Sequence, residues 1–132
     1  MKFDPNRILC IEDDEATCQM MKVLLKTWNY EVVAAQTAAE GFLQLQKERF
    51  ALCLLDTSLP DESGVDLCKR ICEQDGHAPI LFISGHAYET DKTRGLQAGA
   101  HAYFTKPVNF DLLKETMAQL IDQASNEIEF AA

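Results

Sequence analysis

The sequence predicts an α/β fold: a five-stranded parallel sheet in the strand order 2-1-3-4-5, with helices on both faces. Five short apolar runs alternate with five segments of helical character along the chain. Runs that are apolar throughout are typical of parallel strands buried on both faces. Right-handed crossovers then favour this strand order, in which strands one and three meet at the switch point of the sheet.

Each element has its own signal in the sequence. Apolar runs predict strands at residues 7–11, 30–35, 50–55, 79–83 and 102–105. Apolar periodicity and capping residues predict helices at residues 16–28, 38–49, 64–73, 89–97 and 111–124. Thr37 and Glu40 have the spacing of a capping box at the start of the second helix. The fourth helix is weak, because its interior holds Gly95 and few large apolar residues.

Apolar stripes indicate which side of each helix packs on the sheet. The stripes are Met20, Val23, Leu24 and Thr27 in the first helix, Ala38, Phe42 and Leu45 in the second, Val65, Cys68, Ile71 and Cys72 in the third, and Phe110, Leu113, Met117, Leu120 and Ala124 in the last. Residues 125–132 show no clear element. We therefore expect one domain over residues 1–132, with a core at about 7–124 and a tail at 125–132.

Composition narrows the classes of function. The 132 residues carry a net charge of -9, which argues against direct binding to nucleic acid or to an anionic membrane. The chain opens on no signal peptide and has no apolar run of about 18 residues, so we expect a cytoplasmic protein. Its five cysteines fit buried thiols in a reducing compartment. Cys68, Cys72 and His77 lack a fourth partner for zinc.

Polar residues follow the ends of four predicted strands. Glu12 and Asp13 come after the first strand, Asp56 ends the third, Ser84 the fourth and Lys106 the fifth. The carboxyl ends of parallel strands share one sheet edge, so these groups should meet at the switch point. Crowded carboxylates demand a cation, and their oxygens suit Mg²⁺. Carboxylates, a hydroxyl, an ammonium and a divalent cation fit phosphoryl transfer, with Asp56 as the nucleophile.

These residues resemble the receiver domain of bacterial two-component response regulators, of the stand-alone, CheY-like kind. Four segments carry the resemblance in the family's order, over roughly residues 7–124: residues 8–14 (ILCIEDD), 54–60 (LLDTSLP) with Gly64, 83–85 (ISG) and 104–107 (FTKP). The resemblance implies a flavodoxin-like (βα)5 fold, in agreement with the strand order above.

The resemblance also implies how a metal is held. Asp56 is the expected phosphoacceptor and a metal ligand. Asp13 would bind Mg²⁺ directly, Glu12 would bind through water, and Ser58 would contribute its backbone carbonyl. Mn²⁺ is the expected substitute for Mg²⁺.

Further roles follow from the same resemblance. Ser84 would be the switch hydroxyl, Lys106 would contact a phosphoryl oxygen, and Tyr103 would change rotamer with the state of the site. The Lys106–Pro107 peptide bond is expected to be cis.

Three residues match positions that influence the lifetime of the phosphoryl group in the family. These residues are Ser58, Gly85 and His86. Two departures are mild: Leu59 stands where methionine is usual, and Ser84 keeps the hydroxyl of the commoner threonine.

The implied function is that of a signalling receiver. A histidine kinase or histidine phosphotransfer protein would phosphorylate Asp56, and the surface of helix four, strand five and helix five would respond. The chain would catalyse only its own phosphorylation and dephosphorylation, act on a protein effector, and be a monomer or a phosphorylation-dependent dimer. A chemotaxis-type regulator, a phosphorelay intermediate and a receiver from a larger hybrid protein stay open.

Two other classes fit the sequence less well. A haloacid-dehalogenase-type phosphatase also forms an aspartyl phosphate, but it needs a second Asp where this chain has Ser58. A degenerate receiver, acting only as an interaction module, should lack the acids or the lysine, and both are present.

Overall fold

A computed structural model describes residues 4–131, with side chains described for residues 4–126. The strands are β1 (Arg7–Ile11), β2 (Glu31–Ala35), β3 (Leu52–Leu55), β4 (Ile80–Ser84) and β5 (Ala102–Thr105). The helices are α1 (Glu15–Thr27), α2 (Ala38–Lys47), α3 (Gly64–Cys72), α4 (Glu89–Gln97) and α5 (Phe110–Ala131). Apart from the end of α5, the predicted boundaries lie within two residues of these.

The five strands form one parallel sheet in the order β2-β1-β3-β4-β5, which confirms the predicted fold. In its register, Ile11 lies opposite Leu55 and Ser84 lies opposite Thr105. The carboxyl ends of β1, β3, β4 and β5 therefore reach the same edge of the sheet, where the polar residues of the sequence pattern follow.

Two apolar clusters cover the two faces of the sheet. One contains Leu67, Ile71 and other residues of α2 and α3 against one face, and the other contains Leu25, Leu113 and other residues of α1 and α5 against the opposite face. The strands contribute to both clusters because alternate side chains point to opposite faces. This arrangement explains why the strand sequences are apolar throughout.

Local capping sets the start of three helices. The side chains of Asp14, Thr37 and Ser63 accept hydrogen bonds from backbone N–H groups in the first turns of α1, α2 and α3. Helix starts leave such N–H groups without intrahelical partners, which explains the residue types at these positions. The predicted role of Thr37 is confirmed, whereas Glu40 accepts from the N–H of Gln36 rather than from that of Thr37.

The predicted inward side of α1 is wrong for Met20, Val23 and Thr27, which are exposed, although Leu24 packs against the core. Cys18, Met21 and Leu25 are the buried residues of this helix, whereas Val23 is 68% exposed. Both sets of residues recur at helical spacing, so periodicity did not distinguish them. The polar Thr27, also exposed, belongs to the wrongly chosen side.

The last helix differs from its prediction at both ends. Phe110, the first residue of α5, was expected to face inward but is 38% exposed, whereas Leu113, Met117 and Ile121 are buried. The predicted tail at 125–132 is also wrong, since α5 continues to Ala131. Only residue 132 of that tail lies outside the described residues.

The cysteines are free thiols, as expected. Cys10, Cys18, Cys53 and Cys68 are buried and Cys72 is half-buried. Burial raises the pKa of the Cys53 and Cys68 thiols, which makes them poor nucleophiles. Within the described part of the chain, no helix is both long enough and apolar enough to cross a membrane.

Candidate functional site

Three carboxylates meet at the end of β1 and β3. Glu12 is 5% exposed and Asp56 is 8% exposed, whereas Asp13 is exposed. One carboxylate oxygen from each residue lies within 4.8 Å of the others. The backbone fixes them, because Glu12 N–H donates to the carbonyl of Ala35 at 2.9 Å and Asp56 N–H donates to that of Ile11 at 3.0 Å. Such a set of oxygens can hold a hard divalent cation.

The burial and crowding of these carboxylates raise the pKa of one of them. Burial, together with the hydrogen bond and the negative charge of Asp56, raises the pKa of Glu12 to about 7. Lys106 opposes this shift, with its Nζ 3.5 Å from Oε2 of Glu12. A single ammonium therefore does not offset the carboxylates, and the site favours binding of a further positive charge.

Lys106 is positioned by the segment that follows β5. Its backbone N–H donates to the carbonyl of Ser84 at 2.8 Å, and the Lys106–Pro107 peptide bond is cis. The lysine, which follows the edge strand β5, thus reaches Glu12 at the end of β1, across 94 residues of sequence.

Ser84 lies at the buried end of β4 and has no solvent exposure. Its hydroxyl hydrogen-bonds to the hydroxyl of Thr57 and accepts from the backbone N–H of His86 at 3.0 Å. Thr57 directly follows Asp56, so the Ser84 hydroxyl is held beside the candidate phosphoacceptor. Thr57 is not among the site residues predicted from sequence, because nothing in its spacing reveals a partner 27 residues away.

A second group of predicted residues meets at the rim of the site. Ser58 N–H donates to Oδ1 of Asp56 at 3.2 Å, and the Ser58 hydroxyl lies 3.1 Å from Nε2 of His86. The Tyr103 hydroxyl donates to the backbone carbonyl of His86 at 2.8 Å. Gly85 is exposed, and a Cβ there would meet nothing within 4 Å. Ser58, His86 and Tyr103 thus form one network across the ends of β3, β4 and β5.

Tyr103 also contacts the sheet and α4. Its ring centroid lies 5.7 Å from that of Phe82, and a Cβ added to Gly95 would lie 2.9 Å from its Cδ2. Gly95 is the buried residue of α4, which otherwise presents few apolar groups to the sheet. The tyrosine therefore connects the rim of the site to a weakly anchored helix.

Asp14 lies outside this constellation. Its carboxylate accepts from the N–H of Thr17 at 3.0 Å and caps α1, and its hydrogen bonds with Thr17 lower its pKa. Of the acids that follow β1, Glu12 and Asp13 therefore belong to the cluster and Asp14 starts the helix.

A cavity of about 280 Å³ opens beside the cluster, between α1 and the segment after β5. Glu12, Asp56 and Lys106 line its polar end, and Met20 and Phe110 belong to its apolar lining. The two apolar side chains are partly exposed. Both were predicted from sequence to face inward, Met20 on α1 and Phe110 at the start of α5.

Comparison with known protein families identifies the class of protein to which this fold and this site belong. The model of the response regulator receiver domain family matches residues 8–118. The chain therefore belongs to this family of signalling domains, which is distinct from metabolic enzymes.

Individual relatives agree with this assignment. The chain is 35% identical over 117 residues to regulatory protein VanR of Enterococcus faecium, covering 87% of this chain and 50% of that protein. It is 37% identical over 107 residues to the cell cycle response regulator CtrA of Brucella ovis, covering 81% of this chain and 46% of that protein. The chain thus spans about half the length of these curated relatives.

Solved structures show the same fold. A CheY-like response regulator receiver domain protein from Methanospirillum hungatei is 35% identical, with a TM-score of 0.84 over 92% of this chain and 98% of that one. The signal receiver domain of a DNA binding response regulator from Colwellia psychrerythraea is 26% identical, with a TM-score of 0.81 over 88% of this chain and 98% of that one.

Proposed function

We propose that the chain is a phosphoacceptor in two-component signalling, in which Asp56 accepts a phosphoryl group in a Mg²⁺-dependent reaction. One observation carries this proposal: a buried Asp56 lies with two further carboxylates, and Lys106 reaches the same cluster from β5. Burial and the proximity of Asp56 raise the pKa of Glu12, which means that the charged form of Glu12 is unfavourable in the fold. Stability alone therefore does not explain why these carboxylates lie together, and a functional role does.

The residues present fit a divalent cation. Asp13, Asp56 and the backbone carbonyl of Ser58 would hold Mg²⁺, or Mn²⁺ in its place, and Glu12 would bind through water. When bound, the cation supplies positive charge that offsets the charge on the phosphoryl oxygens. The exposed position of Asp13 beside two buried acids supports this assignment, since it leaves a path for the ion from solvent.

The phosphoryl transfer itself needs one nucleophile. A carboxylate oxygen of Asp56 attacks the phosphorus of a phosphohistidine, the P–N bond breaks, and its electron pair leaves with the imidazole. The ammonium of Lys106 stabilises charge on a phosphoryl oxygen, and the nearby hydroxyl of Ser84 donates to another. The positions of these groups at strand ends, rather than on long loops, support a site that is preorganised for this step.

The response to phosphorylation begins at Ser84. New acceptor oxygens on Asp56 compete with Thr57 for the Ser84 hydroxyl, and the backbone of His86 is bonded to that hydroxyl. The Tyr103 hydroxyl donates a hydrogen bond to the backbone carbonyl of His86, so a shift of the His86 backbone would move the tyrosine ring. The surface that changes is formed by α4, β5 and α5, and the sparse apolar anchoring of α4 supports its mobility.

The donor in this proposal is a histidine kinase or a histidine phosphotransfer protein. Partly exposed Met20 and Phe110 beside the acidic cluster favour a protein donor over a small one. Residues 1–132 would act as one cytoplasmic receiver domain, as a monomer or a phosphorylation-dependent dimer. The output would be contact with a protein effector, with no direct binding to nucleic acid or membrane.

Intact-mass measurement tests the proposal. Incubation with acetyl phosphate and Mg²⁺ should add one phosphoryl mass to the wild type, and EDTA should prevent the addition. Asp56→Asn should remain unlabelled, whereas Asp111→Asn, a change of an exposed acid in the first turn of α5, should be labelled as the wild type is. No added mass on the wild type, or undiminished labelling of Asp56→Asn, would contradict the proposal.

A further inference from the structure

Asp61 connects the loop after β3 to a helix that is distant in sequence. Its Oδ1 accepts from the backbone N–H of Ala38 at 2.8 Å, and its Oδ2 accepts from that of Ala39 at 3.0 Å. Both oxygens of this carboxylate are thus used by the first two residues of α2, and these hydrogen bonds lower its pKa. The side chain joins two elements that precede and follow β3.

The N-terminus of α2 does not depend on this contact for a cap. Thr37 already accepts from the N–H of Glu40 at 3.0 Å, as expected of a helix cap. Helices α1 and α3 begin with one local cap of the same kind, from Asp14 and Ser63. The hydrogen bonds from Ala38 and Ala39 to Asp61 are additional to the Thr37 cap. Their main effect is therefore on the loop that carries Asp61.

The loop between β3 and α3 is held at several points. Ser58 and Ser63 form an antiparallel bridge across its base. On one side Glu62 forms an ion pair with Arg70 of α3, with Oε1 of Glu62 2.6 Å from Nη2 of Arg70. On the other side Asp61 binds α2. The tip of the loop is therefore fixed between two helices, and Ser58 lies three residues before the anchoring point at Asp61.

We propose that Asp61 is a positioning residue for the metal site. By clamping the loop to the N-terminus of α2, it fixes the backbone of Ser58, and so sets the affinity for the divalent cation and the rate at which Asp56 is phosphorylated. This role rests on the proposed function, in which the carbonyl of Ser58 is a metal ligand. Loss of groups that orient metal ligands weakens affinity about 10- to 100-fold, and we expect about tenfold for this less direct contact.

Three variants of the full chain separate the possible causes. Asp61→Ala removes the clamp and the charge, Asp61→Asn removes the charge but keeps one acceptor oxygen, and Thr37→Ala weakens the start of α2 without releasing the loop. The dissociation constant for Mn²⁺ is measured from the electron paramagnetic resonance signal of the free ion. The rate of labelling by acetyl phosphate and the urea midpoint are measured on the same samples.

Each cause predicts its own pattern. If Asp61 positions the loop, Asp61→Ala raises the Mn²⁺ dissociation constant about tenfold, Asp61→Asn raises it less, and Thr37→Ala leaves it within about twofold of the wild-type value. Labelling rates at subsaturating Mn²⁺ should follow the same order, while the urea midpoint falls in both Asp61→Ala and Thr37→Ala.

The outcomes against the proposal are equally distinct. Equal shifts for Asp61→Ala and Asp61→Asn would assign the effect to charge alone, and equal shifts for Asp61→Ala and Thr37→Ala would assign it to α2. Either result, or no shift in any variant, overturns the positioning role. If the wild type neither binds Mn²⁺ nor takes a phosphoryl group, the proposed function itself is overturned, and this role with it.

Discussion

Replacing Glu12 by glutamine should stabilise the metal-free protein, and more at high pH than at low pH. Burial and the neighbouring Asp56 raise the pKa of Glu12 from 4.5 to about 7 in the folded chain. The folded state therefore binds this proton more tightly than the unfolded state does. The associated stability is fully present below the unfolded pKa and is lost as the pH rises through about 7.

The size of the effect follows from the shift. Relative to a pH below the unfolded pKa, the charge on Glu12 lowers the free energy of unfolding by about 3 kcal/mol near pH 8 and by about 1 kcal/mol near pH 5.5. Glutamine has no proton to lose, and its amide oxygen can still accept from the N–H of Asp14, as Oε1 of Glu12 does at 3.3 Å. The pKa of about 7 already includes the opposing attraction of Lys106, so we expect a net gain in the free energy of unfolding of about 3 kcal/mol near pH 8.

Urea denaturation with EDTA and a reducing agent, at both pH values, measures this gain. Glu15→Gln is the matched control, because Glu15 is an exposed acid in the first turn of α1. Losing its favourable interaction with the helix dipole should cost about 0.5 kcal/mol at either pH. Saturating Mg²⁺ should reduce the advantage of Glu12→Gln, since the cation stabilises the wild type. No gain near pH 8, or an equal gain at both pH values, would refute the reasoning.

Three further predictions concern the fold around the site, each checked by urea denaturation. Gly64→Ala should cost more than about 2 kcal/mol, because its Cβ would overlap the carbonyl oxygen of Asp56, whereas Gly85→Ala should change stability by less than about 0.5 kcal/mol. Leu25→Ala should cost about 3 kcal/mol and Val23→Ala less than about 0.5 kcal/mol; the reverse order would contradict the observed orientation of α1. Ser84→Ala should cost about 1–2 kcal/mol, because it leaves the N–H of His86 without its acceptor, and an unchanged free energy of unfolding would contradict that hydrogen bond.

The strands and the location of the site could be predicted from sequence because one physical constraint governs both. A parallel sheet buried on two faces requires apolar strands, and its topology brings their carboxyl ends to one edge. Glu12, Asp56 and Lys106 could therefore be placed together from the sequence alone. Their predicted roles as metal ligand, phosphoacceptor and phosphoryl contact stay predictions until the chemistry is measured.

Helix orientation was harder to predict because α1 carries two apolar stripes of equal period. The buried stripe includes Cys18, a residue type that is often inside proteins. The stripe that was predicted to be buried, and that is mostly exposed, includes the polar Thr27. Weighting residue type as well as spacing would have favoured the observed face. The end of α5 was misplaced for a different reason: no Gly or Pro follows Ala124, so the chain has no strong stop signal there.

The contacts of Thr57 and Asp61 could not be predicted at all. Each side chain binds a group more than 20 residues away, at a distance set by how the loop after β3 folds between its neighbours. In sequence, Asp61 after Pro60 has the character of a turn residue. Local patterns describe such a turn but not the helix that its carboxylate reaches.

The most direct test of the central claim is to locate the phosphoryl group. Borohydride reduces an aspartyl phosphate to homoserine, releasing phosphate, and tandem mass spectrometry of peptides then identifies the modified position. After treatment with acetyl phosphate and Mg²⁺, we expect homoserine at position 56 and none at that position in the EDTA control. Homoserine at position 13 or 61 instead, or at no position, would contradict the assignment of Asp56 as the phosphoacceptor.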